Sequence, residues 1–235
     1  MMNRFIILFL ISFLTFNSIA EIKPAKICSD NMVLQRGSEM PVWGTANPGE
    51  QIAVRLVTSE IKTVVQSDGH WMVKMPMTNA GGPYTLTINS DLEIIEFKNV
   101  LIGNVWFTSG QSNIEHPVKG WEWIPHSAVN HSELEIADSN YPEIRLFSVP
   151  KYPSPVELND LSGGKWELAN PASVSEFSAI GWFFAKELYK NLKIPIGIIN
   201  SSWGGVPIQT LMSRESLEPY KTSVNIPTSI SYLSP

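Results

Sequence analysis

The stretch Val105-Trp-Phe-Thr-Ser-Gly-Gln-Ser-Asn-Ile-Glu115 holds the residues best suited to chemistry. Ser112 carries a hydroxyl that a base can turn into a nucleophile. Gly110 lets the backbone turn sharply just before it, and a helix starting at the serine would aim free backbone N–H groups at an oxyanion forming beside the hydroxyl. The same residues admit a plainer reading, in which Ser112 or Asn113 simply caps the helix. A second small-residue turn, Ser201-Ser-Trp-Gly-Gly205, lies far downstream.

The elements around these turns predict how they would meet. Val100–Phe107 is a mostly apolar run, as expected of a strand buried on both faces, and Glu143–Val149 is a second strand. Phe177–Leu192 reads as a helix, with Phe177, Ile180, Phe184, Leu188 and Leu192 at spacings of three and four and Ser175 or Ser178 available as cap. It leads into a third strand, Ile196–Asn200, and straight into the Gly204 turn. Strand, helix, strand, helix, strand implies a parallel sheet with sites at the carboxyl ends of its strands, where both turns fall. Lys151–Pro171, with Pro153, Pro155, Gly163 and Gly164, reads as surface loop.

Upstream, from Ile27 to about Asn99, short β-prone runs are broken by turn signals at Asn47-Pro-Gly49, Ser67-Asp-Gly69 and Gly81-Gly-Pro83. Their spacing predicts an antiparallel β-sandwich with no ionisable cluster suggesting chemistry; His70 reads as a solvated turn residue. The expected organisation is a mixed fold: a sandwich over residues 21–100, then α/β units with a parallel sheet over 101–235.

Residues 1–20 combine Arg4, an apolar run from Phe5 to Phe16 and the small residues Ser18 and Ala20, the pattern of a secretory signal peptide cleaved after Ala20. The expected product is exported, periplasmic or secreted, with no stable membrane anchor after cleavage. A net charge of −5 argues against a nucleic-acid partner. Cys28 is the only cysteine, so no internal disulfide can form, and no metal or other cofactor is expected.

Several blocks, in order along nearly the whole chain after residue 20, resemble the sialate O-acetylesterases, carbohydrate esterases of the SGNH-hydrolase superfamily. They are Ser29-Asp-Asn-Met-Val-Leu-Gln-Arg36, Pro41-Val-Trp-Gly44, Asn47-Pro-Gly-Glu50, Gly69-His-Trp71, Ala80-Gly-Gly-Pro83, Ser109-Gly-Gln-Ser-Asn113, Ile144-Arg-Leu-Phe147, Phe177-Ser-Ala179 and Ser201-Ser-Trp-Gly-Gly205. The resemblance implies a β-sandwich followed by a partial α/β/α, flavodoxin-like hydrolase domain of the kind that removes O-acetyl groups from sialic acid or related acetylated carbohydrates. It makes Ser112 the nucleophile and its N–H part of the oxyanion hole, with a further N–H from Gly204 or Gly205. Asn104, Ile114, Gln209 and Leu211 depart from the residues usual in the family.

A serine hydroxyl also needs a histidine and an acid that orients it. The resemblance places these in a late Asp-x-x-His block. None of His70, His116, His126 and His131 has an Asp three residues before it, and no histidine follows Gly205. The chain therefore reads as a C-terminally truncated family member whose base would come from a continuation of the gene or a separate chain. The competing readings are a non-catalytic carbohydrate-binding or vestigial module, and a truncated product without a stable fold. Gln111 and Asn113 flank the nucleophile as substrate-binding candidates. Trp121 and Trp123 follow in a loop, where they either cover the core or stack on sugar rings. Glu115 reads as a first-turn residue matched to the helix dipole, and Arg145 as a structural ion pair.

Overall fold

The computed structural model describes residues 21–154, 156–220 and 232–233; the signal peptide read in residues 1–20 lies outside them. Twelve strands run in chain order up to residue 202: β1 (Lys23–Pro24), β2 (Val33–Gln35), β3 (Met40–Thr45), β4 (Gln51–Leu56), β5 (Ser59–Val64), β6 (His70–Met75), β7 (Gly81–Asn89), β8 (Ile94–Gly110), β9 (Tyr141–Ser148), β10 (Pro153–Ser154), β11 (Trp166–Ala169) and β12 (Ile196–Ser202). The helices that bear on the site are α1 (Ser112–Glu115), α2 (Ser132–Ala137), α3 (Pro171–Glu176) and α4 (Ala179–Leu192).

β1, β3 and β6 form a small antiparallel sheet. The large sheet has the order β11-β9-β12-β8-β7-β4-β5, with β2 added parallel to β8. Strict alternation makes the first half: Ile52, Val54 and Leu56 of β4 and Met40 and Val42 of β3 point inward, while Gln51, Arg55 and Pro41 face water. Side chains from both sheets, Trp71 and Met75 from one and Leu86, Ile88 and Val100 from the other, share one core. Gly81-Gly-Pro83, expected as a turn, opens β7 instead.

The 17-residue β8 joins the two halves. Its first part pairs antiparallel with β7, and its last seven residues, Asn104–Gly110, pair parallel with β12. The expected boundary at residue 100 thus falls inside one continuous strand. In the second half, alternation gives way to continuous burial, Ile144–Phe147 in β9 and Ile196–Ile198 in β12. That is the mark of parallel strands covered on both faces, and β9, β12 and β8 do run parallel, side by side.

Two expectations need correction. The segment Lys151–Pro171 is not all loop: β11 lies antiparallel on β9 at the sheet edge, anchored by buried Trp166, whose indole N–H donates to the Ile27 carbonyl at 2.8 Å. The proline and glycine signals before it masked a four-residue strand. Helix α4 begins at Ala179 with Ser178 as its cap, the Ser178 hydroxyl accepting from Gly181 N–H at 3.1 Å. Its buried face is Ala179, Gly181, Trp182, Ala185 and Lys186, whereas Ile180, Phe184 and Leu192 of the expected stripe are exposed. Apolar residues occupy more than one face of this helix, and the face with small residues packs because it lets the backbone approach the sheet. Buried Lys186 is neutralised by Glu135 of α2 at 2.7 Å, and Glu135 also accepts from the Trp182 indole at 2.6 Å.

Candidate active site

The parallel register brings the two small-residue turns together. Ser109 lies opposite Ser201 and Gly110 opposite Ser202, so β8 and β12 end side by side and both chains turn at the same level. The Trp203 N–H then donates to the Gly110 carbonyl at 3.0 Å. A buried polar set lies beneath: Thr108 donates to Asn200 Oδ1 at 3.1 Å, and Asn200 Nδ2 donates to the Ser202 hydroxyl at 3.1 Å. Asn200 would otherwise leave an unsatisfied amide among apolar strands.

Ser112 is the first residue of α1, a single turn. The N-cap position belongs to Gln111, which makes no side-chain cap bond, so Ser112 and Asn113 are not capping residues. Ser112 is exposed, and among the described residues its hydroxyl has no hydrogen-bond partner. Gly110 has φ of +156°, and a Cβ there would stand 2.8 Å from Ile114 Cγ1, so the turn into the helix requires glycine. The helix is too short for a sizeable macrodipole; what it offers an anion is the open N–H groups of its first turn.

Gly204 sits against the serine. A Cβ on Gly204 would lie 3.4 Å from both Cα and Cβ of Ser112 and 2.9 Å from Glu115 Oε2. Its N–H is already engaged: it donates to the Glu115 carboxylate, whose other oxygen pairs with Lys151 Nζ. Gln111 Nε2 donates to the Val206 carbonyl on the far side of the same turn. Gly205 is exposed, with φ of +80° and open space where a side chain would project. Of the two glycines, Gly205 has the amide not bound to Glu115.

Glu115 is thus no simple dipole partner; it ends α1 and reaches across to the second turn. Lys151, which stands in no motif of the sequence, follows the end of β9 and lies 5.8 Å from the Trp203 ring centroid. Three neighbouring parallel strands therefore each deliver a residue to one place. The rule that sites gather at carboxyl ends of such strands could have pointed to Lys151.

The histidines do not complete a triad here. His116 gives its backbone N–H to the Ser112 carbonyl at 2.9 Å, while its ring stands edge-on to Trp121 at 4.7 Å. His126 and His131 occupy left-handed turn positions in the following loop, and His70 lies at the start of β6 with Nδ1 3.4 Å from Asp68. Among the described residues no group of three His, Cys, Asp or Glu side chains is placed to hold a metal.

Trp121 and Trp123 stack with centroids 5.8 Å apart and rings inclined by 21°. Trp121 is half-buried, but Trp123 is 74% exposed, so it does not cover the core. Arg145 is buried and bonds carbonyls of Pro142, Asn31 and Asn99 in place of the expected ion pair. Burial lowers its pKa to about 10. Asn104 accepts from Arg36 Nε at 2.8 Å.

No family model matches the chain. The mouse and human sialate O-acetylesterases are each 30% identical to it over 213 residues, 83% of this chain and 38% and 39% of theirs. The crystal structure of a carbohydrate acetylesterase from Xanthomonas citri is 36% identical, with a TM-score of 0.78 over 87% of this chain and 45% of that one. The chain spans about two fifths of the length of these curated relatives.

Proposed function

We propose that this relative of the sialate O-acetylesterases carries the nucleophile and oxyanion half of a serine O-acetylesterase site, acting on O-acetylated sialic acid or related acetylated sugars. In this reading the first half of the chain is the family's β-sandwich and the second half the first part of an SGNH-type hydrolase domain. Export by residues 1–20 is part of the same proposal.

The observation that carries it is the placement of exposed Ser112 beside the Gly204 turn, at the shared end of two parallel strands. The Ser112 hydroxyl attacks the acetyl carbonyl, and the carbonyl oxygen becomes an oxyanion facing backbone N–H donors. The Ser112 amide is one, and Gly205 supplies the second because Gly204 is engaged by Glu115. The proton leaving Ser112 must pass to a base, and none of the four histidines is hydrogen-bonded to the hydroxyl: the His116 ring lies against Trp121, His126 and His131 sit in the following loop, and His70 lies beside Asp68. The oxyanion collapses, the bond between the acetyl carbon and the sugar oxygen breaks, and the sugar leaves as a free hydroxyl carrying the proton taken from Ser112. Water then attacks the acetyl-serine ester, releasing acetate and restoring the Ser112 hydroxyl. Gln111 is held on Val206, leaving Asn113, exposed beside the serine, as the freer polar group for the sugar.

Incubating the purified chain with an activated acetyl ester and with O-acetylated sialic acid tests the reading. Acetate release that falls on Ser112→Ala supports it; release identical in both proteins removes catalysis by this chain on its own.

A second reading, a carbohydrate-binding module without catalysis, is favoured by the stacked and exposed Trp123. Calorimetry would show glycan binding that survives Ser112→Ala but not Trp123→Ala.

A further inference from the structure

We propose that Glu115, held by Lys151, is a positioning residue that clamps the Gly204 turn onto Ser112. The inference rests on the esterase reading for its catalytic meaning, and on the contacts alone for its geometry. A glutamate in the last position of a one-turn helix has solvent available on its open side, yet its carboxylate takes the Gly204 N–H and the Lys151 ammonium together. Both oxygens are thereby used, one by each of the other two strand ends.

The arrangement does what an oxyanion site needs. Donors stabilise a transition state only when they are fixed before the charge develops. The turn at 203–206 is bound at three points: Trp203 N–H to the Gly110 carbonyl, Gly204 N–H to Glu115, and the Val206 carbonyl to Gln111. Of these, only the Glu115 bond is made to an ionised group, and hydrogen bonds to ionised groups are roughly twice as strong as neutral ones. Lys151 compensates the carboxylate, so that a negative charge beside the nucleophile does not oppose the oxyanion. Its Nζ also lies over the Trp203 indole, tying the cation to the same turn. Fixing Gly204 from below sets the position of Gly205, the next amide in the chain.

The assignment is tested by amide hydrogen exchange in the full chain labelled with nitrogen-15 glycine. The Gly204 amide should exchange at least about tenfold faster in Glu115→Ala. Glu115→Gln, which keeps an acceptor oxygen, should restore most of the protection, and Lys151→Met should loosen the amide less than Glu115→Ala. Unchanged Gly204 exchange in Glu115→Ala overturns the clamp, and so does an equal acceleration at every glycine, which would mark general destabilisation. Kinetics provide a separate test. With ester turnover present, Glu115→Ala should lower kcat about tenfold with KM little changed, and Glu115→Gln should recover it. A protected Gly204 amide in a protein whose turnover ignores Ser112→Ala would leave the clamp standing and remove the esterase reading.

Discussion

The backbone N–H of Trp203 donates to the carbonyl of Gly110 at 3.0 Å, so the turn after one parallel strand rests directly on the turn that carries Ser112. This bond closes the parallel ladder at its last paired residues, Ser202 and Gly110. It explains why two motifs far apart in the chain can build one site without a long loop to join them.

Gly204 is the position where a small change should do most harm. A methyl group there would stand 2.9 Å from Glu115 Oε2 and 3.4 Å from Ser112 Cβ, forcing the turn outward. Gly204→Ala is expected to lower Ser112-dependent ester turnover by roughly 10²–10³, because displacing the turn carries the Gly205 amide away from the oxyanion. The melting temperature should change little, since the turn lies at the surface. Kinetics beside a thermal melt would check both.

The edge strand makes a stability prediction. Trp166 is buried, packs against Phe147 with centroids 5.3 Å apart, and bonds Ile27. Trp166→Ala should cost about 3–5 kcal/mol, as expected for removing a buried indole. Urea unfolding would measure it. A loss below about 1 kcal/mol would mean that the segment is the surface loop its sequence suggests.

Cys28 gives an alkaline prediction. Burial pushes its thiol up to about 12, above the ordinary value of 9.0. The folded chain keeps the proton where the unfolded chain releases it. The stabilising preference is whole below pH 9 and declines as pH rises towards 12, at about 1.4 kcal/mol per pH unit. Cys28→Ala should flatten this part of the profile. Denaturant titrations on either side of the ordinary thiol value would reveal the difference in slope, and equal slopes would refute it.

Trp123 should matter for ligands and not for folding. Its ring is 74% exposed and stacked on Trp121, so Trp123→Ala is expected to shift stability by no more than about 0.5 kcal/mol. Binding of an acetylated glycan should weaken roughly three- to tenfold, as for a lost aromatic stacking contact. Tryptophan fluorescence titration would follow it.

Much of the architecture was legible because turn signals and the order of elements carry it. β-prone runs between turn signals marked β3, β4 and β6, a mostly apolar run marked the second part of β8, and the strand-helix-strand order gave the parallel arrangement that places Ser112 beside Gly204. The failures have physical causes. β11 is short and follows a run of Pro and Gly, so its pairing on β9 comes from Trp166 and not from local propensity. The face of α4 was misassigned because a helix apolar on several sides leaves the choice to the sheet it meets. Glu115 was legible as a helix residue but not as a clamp, because its partners Lys151 and Gly204 are distant in sequence and are gathered only by the three strand ends.

If Ser112 is a nucleophile that no histidine of this chain activates, a base supplied from solution should support part of its chemistry. The most direct measurement is acetate release from O-acetylated sialic acid by the purified chain with and without added imidazole, which can accept the serine proton. Imidazole should raise release by the chain well above release by Ser112→Ala under the same conditions. Equal release by the two proteins at every imidazole concentration would contradict the nucleophile assignment.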